Sequence, residues 1–93
     1  MIVADFAMVP MGAGTSAARY IRAVYDVLRE SGVNYVPGPM STSVETRTME
    51  ELFDLIEKAN IRVAKMGVQR IITSIKIDYR LDKEISIDSK MNA

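Results

Sequence analysis

The chain has 93 residues, and its 12 Lys and Arg residues balance 12 Asp and Glu residues, so the formal net charge is zero. One domain of two layers is what this length supports, burying about 60–65% of the surface that the unfolded chain exposes. A net charge of zero argues against two classes of partner that bind basic surfaces, namely nucleic acids and anionic membranes. Without His or Cys, the chain lacks the usual zinc ligands and the imidazole or thiol of a nucleophile–base pair.

Targeting and membrane segments are not expected. The apolar runs are only a few residues long, far short of the ~20 residues that span a bilayer. Residues 1–9 are apolar but contain Asp5 and lack the basic start of a signal peptide. The sequence therefore predicts a cytoplasmic protein made of one domain over residues 1–93, in which residues 81–93 are a short C-terminal extension, either an added element or a loose tail.

The first part of the chain is typical of a strand followed by a helix. Residues 2–9 are an apolar run that ends at Pro10, which favours a strand. A loop of small residues follows, and the helix predicted over residues 17–31 ends at Gly32. Two hydroxyl residues of the loop are candidate N-caps, Thr15 and Ser16.

The middle of the chain predicts a hairpin and a second helix. Residues 35–40 and 41–46 are the two strands, and Pro37 predicts an edge strand or a bulge because proline has no N–H for a ladder. A capping box, with Thr48 as N-cap and Glu51 at N3, begins the helix, and Gly67 ends it. The expected apolar stripe consists of Leu52, Phe53, Ile56, Ala59 and Val63.

Residues 69–79 alternate between apolar and polar side chains, which indicates the last strand. The order is then strand, helix, strand, strand, helix, strand. Right-handed crossovers in both halves predict an α+β, ferredoxin-like βαββαβ sandwich, in which two helices cover one face of a four-stranded antiparallel sheet.

The second face of that sheet has no helices to cover it. On the first strand it carries Asp5 between apolar neighbours, and on the last strand it carries Ile72 beside polar residues. A face that is half apolar indicates contact with another subunit, although an ordinary exposed sheet has the same residue types. The apolar positions of the first strand are Val3, Ala7 and Val9.

Two patterns indicate candidate binding sites, one for an anion and one formed by charged side chains. Gly12 and Gly14 before a helix suit an anion, with Ser16 beside them, but also suit a flexible turn. Lys76, Asp78 and Arg80 share one face of the last strand because side chains repeat every second residue. They are either ion pairs at a subunit interface or the polar end of a ligand pocket, and Asp5 on the adjacent strand is a candidate partner of Lys76.

A third group of residues suits a small heteroaromatic ligand. Met8, Tyr35 and Met40 are candidates for an apolar slot, and Thr42, Ser43, Lys76 and Asp78 are candidates for its polar edge. Asn60 lies on or beside the apolar stripe of the second helix, where it points either to an edge or into a pocket. An ordinary hairpin and a structural Asn explain the same residues.

Ordered motifs along the chain resemble the small thiamine-binding protein family. They are Val9-Pro10-Met11-Gly12, the pair Ser16 and Tyr20, residues 35–42, and residues 67–80. The resemblance reaches to about residue 83. Two positions depart from the family pattern, since Ser41 stands where glycine is usual and Asn60 stands where histidine is frequent.

The resemblance implies a ferredoxin-like fold, dimers or tetramers formed through sheet faces and edges, and binding of thiamine or its hydroxymethylpyrimidine half, without an established catalytic activity or a separate cofactor. We expect ligand-binding residues at Met8, Pro10, Tyr35, Met40, Ser41, Thr42, Ser43, Asn60, Lys76, Asp78 and Arg80, and an anion site at Gly12, Gly14 and Ser16.

Two other functional classes are compatible with the sequence. One is a regulatory or scaffolding oligomer without a ligand. The other is an enzyme of the acylphosphatase type, which needs a phosphate cradle of Arg and Asn, and only Arg19 near the glycine loop resembles one. No catalytic assembly of nucleophile and base is recognisable.

Overall fold

The computed structural model describes residues 1–14 and 17–92. These residues form β1 (Ile2–Pro10), α1 (Ala18–Ser31), β2 (Asn34–Pro37), β3 (Thr42–Thr46), α2 (Met49–Ala64), β4 (Ile71–Asp78) and α3 (Ile87–Met91). The strands form one antiparallel sheet in the order β2-β3-β1-β4. The predicted ferredoxin-like arrangement is confirmed.

β1 lies in the interior of the sheet, and its alternating side chains decide which face is the core. Ile2, Ala4 and Phe6 are buried and point to the same side, since side chains alternate along a strand. On that side they pack against the buried residues of α1 and α2, which include Leu28 and Leu52. Both long helices therefore cover one face of the sheet.

α1 ends as the sequence predicts. Gly32 has a φ of 72°, in the left-handed region, and its amide donates to the carbonyl of Arg29 at 3.2 Å. At the other end, the N-cap position is Ala17, which has no side-chain cap. The two predicted capping residues, Thr15 and Ser16, lie outside the described residues.

α2 begins with half of the predicted capping box, since the Thr48 hydroxyl accepts from the Glu51 amide at 3.1 Å. The predicted stripe needs one correction. Leu55 is buried, whereas Phe53 is 54% exposed, because the buried positions recur at intervals of three and four residues from Leu52 and residue 53 lies off that face. The core positions of α2 are Leu52, Leu55, Ala59 and Val63.

The two long helices are also joined at their outer surface. Arg62 of α2 donates two hydrogen bonds, of 3.0 and 3.1 Å, to the carboxylate of Glu30 in α1. This hydrogen bonding holds the pKa of Glu30 below its usual value and raises the pKa of Arg62. Both side chains are largely exposed, so the pair adds little to stability.

The C-terminal segment is an added element on the other face of the sheet. Ser86 and Ser89 form a capping box that begins α3. Ile85 and Ile87 are buried against Val3, and the Ile87 amide donates to the Glu45 carboxylate at 2.9 Å. One end of the second face is therefore covered by the chain itself.

Among residues 1–14 and 17–92, no helix combines the length and the apolar character that a membrane crossing requires.

Candidate functional site

A cleft of about 110 Å³ opens between the C-terminal half of β1, the first turns of α1 and the turn that joins β2 to β3. Its lining is mostly apolar. It consists of Phe6, Ala7, Met8, Pro10, Tyr20, Ile21, Val24, Tyr25, Gly38, Pro39, Met40, Ser41, Thr42 and Val63.

The strand register explains why the sheet is open here. β1 pairs with β4 as far as Pro10, whereas its pairing with β3 ends where Phe6 meets Thr42. Residues 7–10 of β1 therefore have a neighbouring strand on one side only. The space that a longer β3 would fill is the floor of the cleft.

Aromatic side chains of α1 form the wall opposite the turn. Tyr20 is buried, and the guanidinium of Arg19 lies 4.8 Å from the centre of its ring and donates to its hydroxyl at 3.0 Å. Tyr25 lines the cleft and stacks on Tyr35, with ring centres 6.1 Å apart. These contacts hold two aromatic rings beside an open apolar space, as ligand pockets commonly do.

The turn is held in place by hydrogen bonds at both ends. The Gly38 amide donates to the Ser41 carbonyl at 2.8 Å, and a Cβ at Gly38 would lie 2.7 Å from the same oxygen, so this approach needs glycine. The Ser41 hydroxyl lies 2.7 and 2.9 Å from the two carboxylate oxygens of Asp5. Asp5 thereby fastens the turn to the central strand.

Five of the predicted ligand-binding residues line this cleft: Met8, Pro10, Met40, Ser41 and Thr42. Tyr35 lies behind the wall, in contact with Tyr25 rather than with the cleft. Asn60 also lies behind the lining. Its side-chain nitrogen donates to the Ile56 carbonyl at 2.9 Å, and its side-chain oxygen accepts from the Thr73 hydroxyl at 3.2 Å, so it joins α2 to β4. The same nitrogen lies 4.0 Å from the sulfur of Met8, which lines the cleft.

The other predicted polar residues lie outside the cleft. Ser43 points to the second face of the sheet, where its hydroxyl is 3.5 Å from Asp5. Lys76, Asp78 and Arg80 do not line the cleft either. The geometry therefore does not bring these four residues to the ligand slot, and their binding roles stay predictions without geometric support.

Of Lys76, Asp78 and Arg80, the last two pair with residues of the C-terminal segment. Asp78 pairs with Lys90 of α3, and Arg80 pairs with Asp82. Asp5 and Lys76 are opposite each other in the register, but no ion pair joins them among the described residues, and Asp5 accepts from Ser41. The sequence pattern did not show that α3 would return to the sheet and supply Lys90.

The predicted anion site lies outside this cleft. Gly12 and Gly14 have φ angles of 76° and 88°, in the left-handed region that favours glycine. Gly12 lines a separate groove together with Arg19 and residues 66–69. Ser16 lies outside the described residues, and the anion role of the three positions stays a prediction.

The sequence assigns no residue of α1 between Tyr20 and Gly32 to the site, yet Ile21 and Tyr25, one helical turn apart, line the cleft. An i and i+4 spacing of apolar residues on a helix does not distinguish a pocket wall from the core.

Proteins of known sequence are similar to this chain over its whole length. A UPF0045 protein of Methanothermobacter thermautotrophicus is 30% identical over an alignment of 94 positions that covers 100% of this chain and 95% of that protein. The UPF0045 protein YqgV of Bacillus subtilis is 31% identical over an alignment of 98 positions that covers 100% of this chain and 93% of that protein. Residues 4–93 match the family described as thiamine-binding protein. The chain belongs to the thiamine-binding protein family.

A solved structure has the same fold over nearly the whole length of both chains. The hypothetical protein MJ1052 of Methanocaldococcus jannaschii has a TM-score of 0.89 at 28% identity, over 98% of this chain and 92% of that chain. Membership of the thiamine-binding protein family confirms the resemblance seen in the sequence and supports a role in binding.

Proposed function

We propose that this protein binds thiamine or its hydroxymethylpyrimidine half in the cleft between β1, α1 and the Gly38–Ser41 turn, and that it catalyses no reaction. The observation that carries the proposal is the open apolar cleft beside Tyr20 and Tyr25 in a chain of the thiamine-binding protein family.

The size of the cleft favours one ring of the ligand. Its volume of about 110 Å³ is of the same order as an engineered cavity of ~150 Å³ that takes up benzene. A substituted pyrimidine fits that space, and the thiazolium half of thiamine would extend through the open side. Thiamine and hydroxymethylpyrimidine would therefore share the same contacts in the floor.

Thermal unfolding with a ligand panel tests the proposal. A ligand that binds only the folded state stabilises it by about 2.7 kcal/mol at a hundredfold excess over Kd. We expect a rise in Tm with hydroxymethylpyrimidine, thiamine or a thiamine phosphate. A rise with ATP and none with any pyrimidine compound of the panel would contradict the proposal and favour a phosphate site at Gly12 and Gly14.

A matched pair of variants localises the binding. Ile21 lines the cleft and is 42% exposed, and Ile61 lies on α2 outside the cleft and is 45% exposed. Ile21→Glu places a charge in the apolar slot and should abolish the ligand-induced rise in Tm. Ile61→Glu should keep it. Equal ligand responses in the two variants would place the ligand elsewhere.

We also propose that a second copy of the chain covers the part of the second sheet face that α3 leaves open, which gives a dimer or a tetramer. Val9 and Ile72 are opposite each other in the register and are 52% and 44% exposed. Asp5 and Lys76 lie further along the same face, so two copies related by a two-fold axis can place opposite charges against each other.

A further inference from the structure

The register shows which neighbouring strand the main-chain N–H and C=O of each β1 residue face. In an antiparallel sheet, the N–H and C=O of one residue point to the same neighbouring strand, and successive residues alternate between the two neighbours. The Met11 amide donates to the Arg70 carbonyl at 2.8 Å, just beyond the β1–β4 ladder. Odd-numbered residues of β1 therefore face β4, and even-numbered residues face β3. Pro10, which has no N–H, agrees with this assignment.

Met8 is the even-numbered residue that β3 fails to reach. Phe6 pairs with Thr42, so the next partner along β3 would be Met40. The hairpin has already closed there, through the Gly38 amide and the Ser41 carbonyl, and the Met40 side chain is 88% exposed. Within residues 1–14 and 17–92, no main-chain group of the turn bonds to Met8. Its N–H and C=O point towards the cleft that Met8 lines.

An N–H and a C=O side by side on one extended residue form a small, planar recognition element. It is complementary to a ring nitrogen that accepts next to an amino group that donates, which is the edge of an aminopyrimidine. A main-chain group inside a pocket costs free energy when it has no hydrogen-bond partner, so this element favours a ligand that supplies both.

We propose that the main chain of Met8 binds the aminopyrimidine edge of the ligand, which takes the place that a longer β3 would occupy. The inference rests on the proposed function and assigns the chemistry of its polar contact. The ring then extends the sheet, with one face towards Ile21 and Tyr25 of α1. The polar edge predicted for Lys76 and Asp78 is supplied by backbone instead.

Amide hydrogen exchange measured by NMR tests this inference on the unmodified protein. In the free protein, the Met8 amide should exchange quickly, whereas the Ala7 amide should be slow because it faces β4. Saturating hydroxymethylpyrimidine should slow exchange at Met8 about tenfold or more, as a hydrogen bond of 1–2 kcal/mol requires. Protection that is unchanged at Met8 while the ligand is bound would overturn the inference.

A proline substitution removes the N–H itself. Proline at position 8 should break no bond to β4, because the Met8 amide faces away from it. Met8→Leu is the control, since it measures how much the Met8 side chain contributes to the affinity. Met8→Pro should bind hydroxymethylpyrimidine about tenfold more weakly than Met8→Leu does. Equal affinities in the two variants would overturn the inference.

The ligand offers the same test without a variant, should Met8→Pro fail to fold. The analogue of hydroxymethylpyrimidine that lacks the ring amino group cannot donate to the Met8 carbonyl, and it should bind the wild-type protein about tenfold more weakly. Equal affinity for both compounds would overturn the inference and leave the proposed function intact. Absence of binding by every pyrimidine compound would instead overturn the proposed function and the inference with it.

Discussion

The contact between Asp5 and Ser41 shows how one side chain shapes the candidate site. Asp5 lies in the centre of the sheet, on the face away from the long helices, and its carboxylate accepts from the Ser41 hydroxyl at 2.7 Å. Ser41 is also a residue of the cleft lining. The hydrogen bond therefore links the turn, and with it Met40, to the rigid middle strand. A glycine at position 41 would lack this link.

Ser41→Ala should lower the free energy of unfolding by about 1–2 kcal/mol, the cost of a hydrogen bond to a half-buried carboxylate. Denaturant unfolding measures the change, and Ser74→Ala, at an exposed position of β4, is the control. Asp5→Ala and the double variant complete a cycle, and a coupling free energy near zero between the two positions would contradict the role of Asp5 in fastening the turn.

At the scale of elements, α2 shows which apolar residues anchor a helix to the sheet. Its buried side chains follow one another at helical intervals and meet the core face of β1. Phe53 is an exception to this pattern. A large aromatic residue next to Leu52 is of a type common in protein cores, but Phe53 lies on the outer side of the helix.

Leu52→Ala should destabilise the protein by about 2–5 kcal/mol, because a fully buried side chain leaves a cavity in the core. Phe53→Ala, one residue away in the same helix, should change the free energy of unfolding by less than about 1 kcal/mol. Urea unfolding of both variants checks the pair. A larger loss for Phe53→Ala than for Leu52→Ala would contradict the packing of α2.

The short helix α3 depends on tertiary contacts, since five residues are too few for a stable isolated helix. Ile87→Ala removes part of its attachment to Val3. We expect faster proteolysis of the segment after residue 80 and a smaller loss of global stability than in Leu52→Ala, because α3 can detach while the rest stays folded. Met91→Ala, at a position of α3 that is 73% exposed, is the control, and equal proteolysis rates in both variants would contradict the docking.

At the scale of the whole molecule, the sheet is covered unequally on its two faces. The long helices cover one face completely enough to bury β1, and α3 covers only the Val3 end of the other. The apolar end at Val9 and Ile72 is exposed. This asymmetry is the physical reason for the proposed contact between the sheets of two copies.

Val9→Glu should shift the particle towards monomer, because it places a charge in the middle of the proposed contact. Light scattering at micromolar concentration measures the mass, and Ile61→Glu on the outer side of α2 is the control. A wild-type protein that is monomeric at this concentration would rule out the contact.

The sequence by itself determined the order of the elements, the fold and the family. Local signals were sufficient for the elements: the alternation in β4, the capping residue Thr48, and Gly32 at the end of α1. It also indicated five residues of the cleft, since strand ends and turns next to each other in the topology come together in space. These signals involve neighbours in the chain, so they can be recognised without knowing distant contacts.

Only the tertiary structure decided the register and the partners. Where β3 stops relative to β1 depends on how the hairpin closes, and this alone opens the cleft and leaves the Met8 main chain facing it. Asp78 of β4 has its partner in Lys90, because α3 folds back onto the second face of the sheet. Such contacts join residues far apart in the chain, and alternation or composition carries no information about which of several possible partners is nearest.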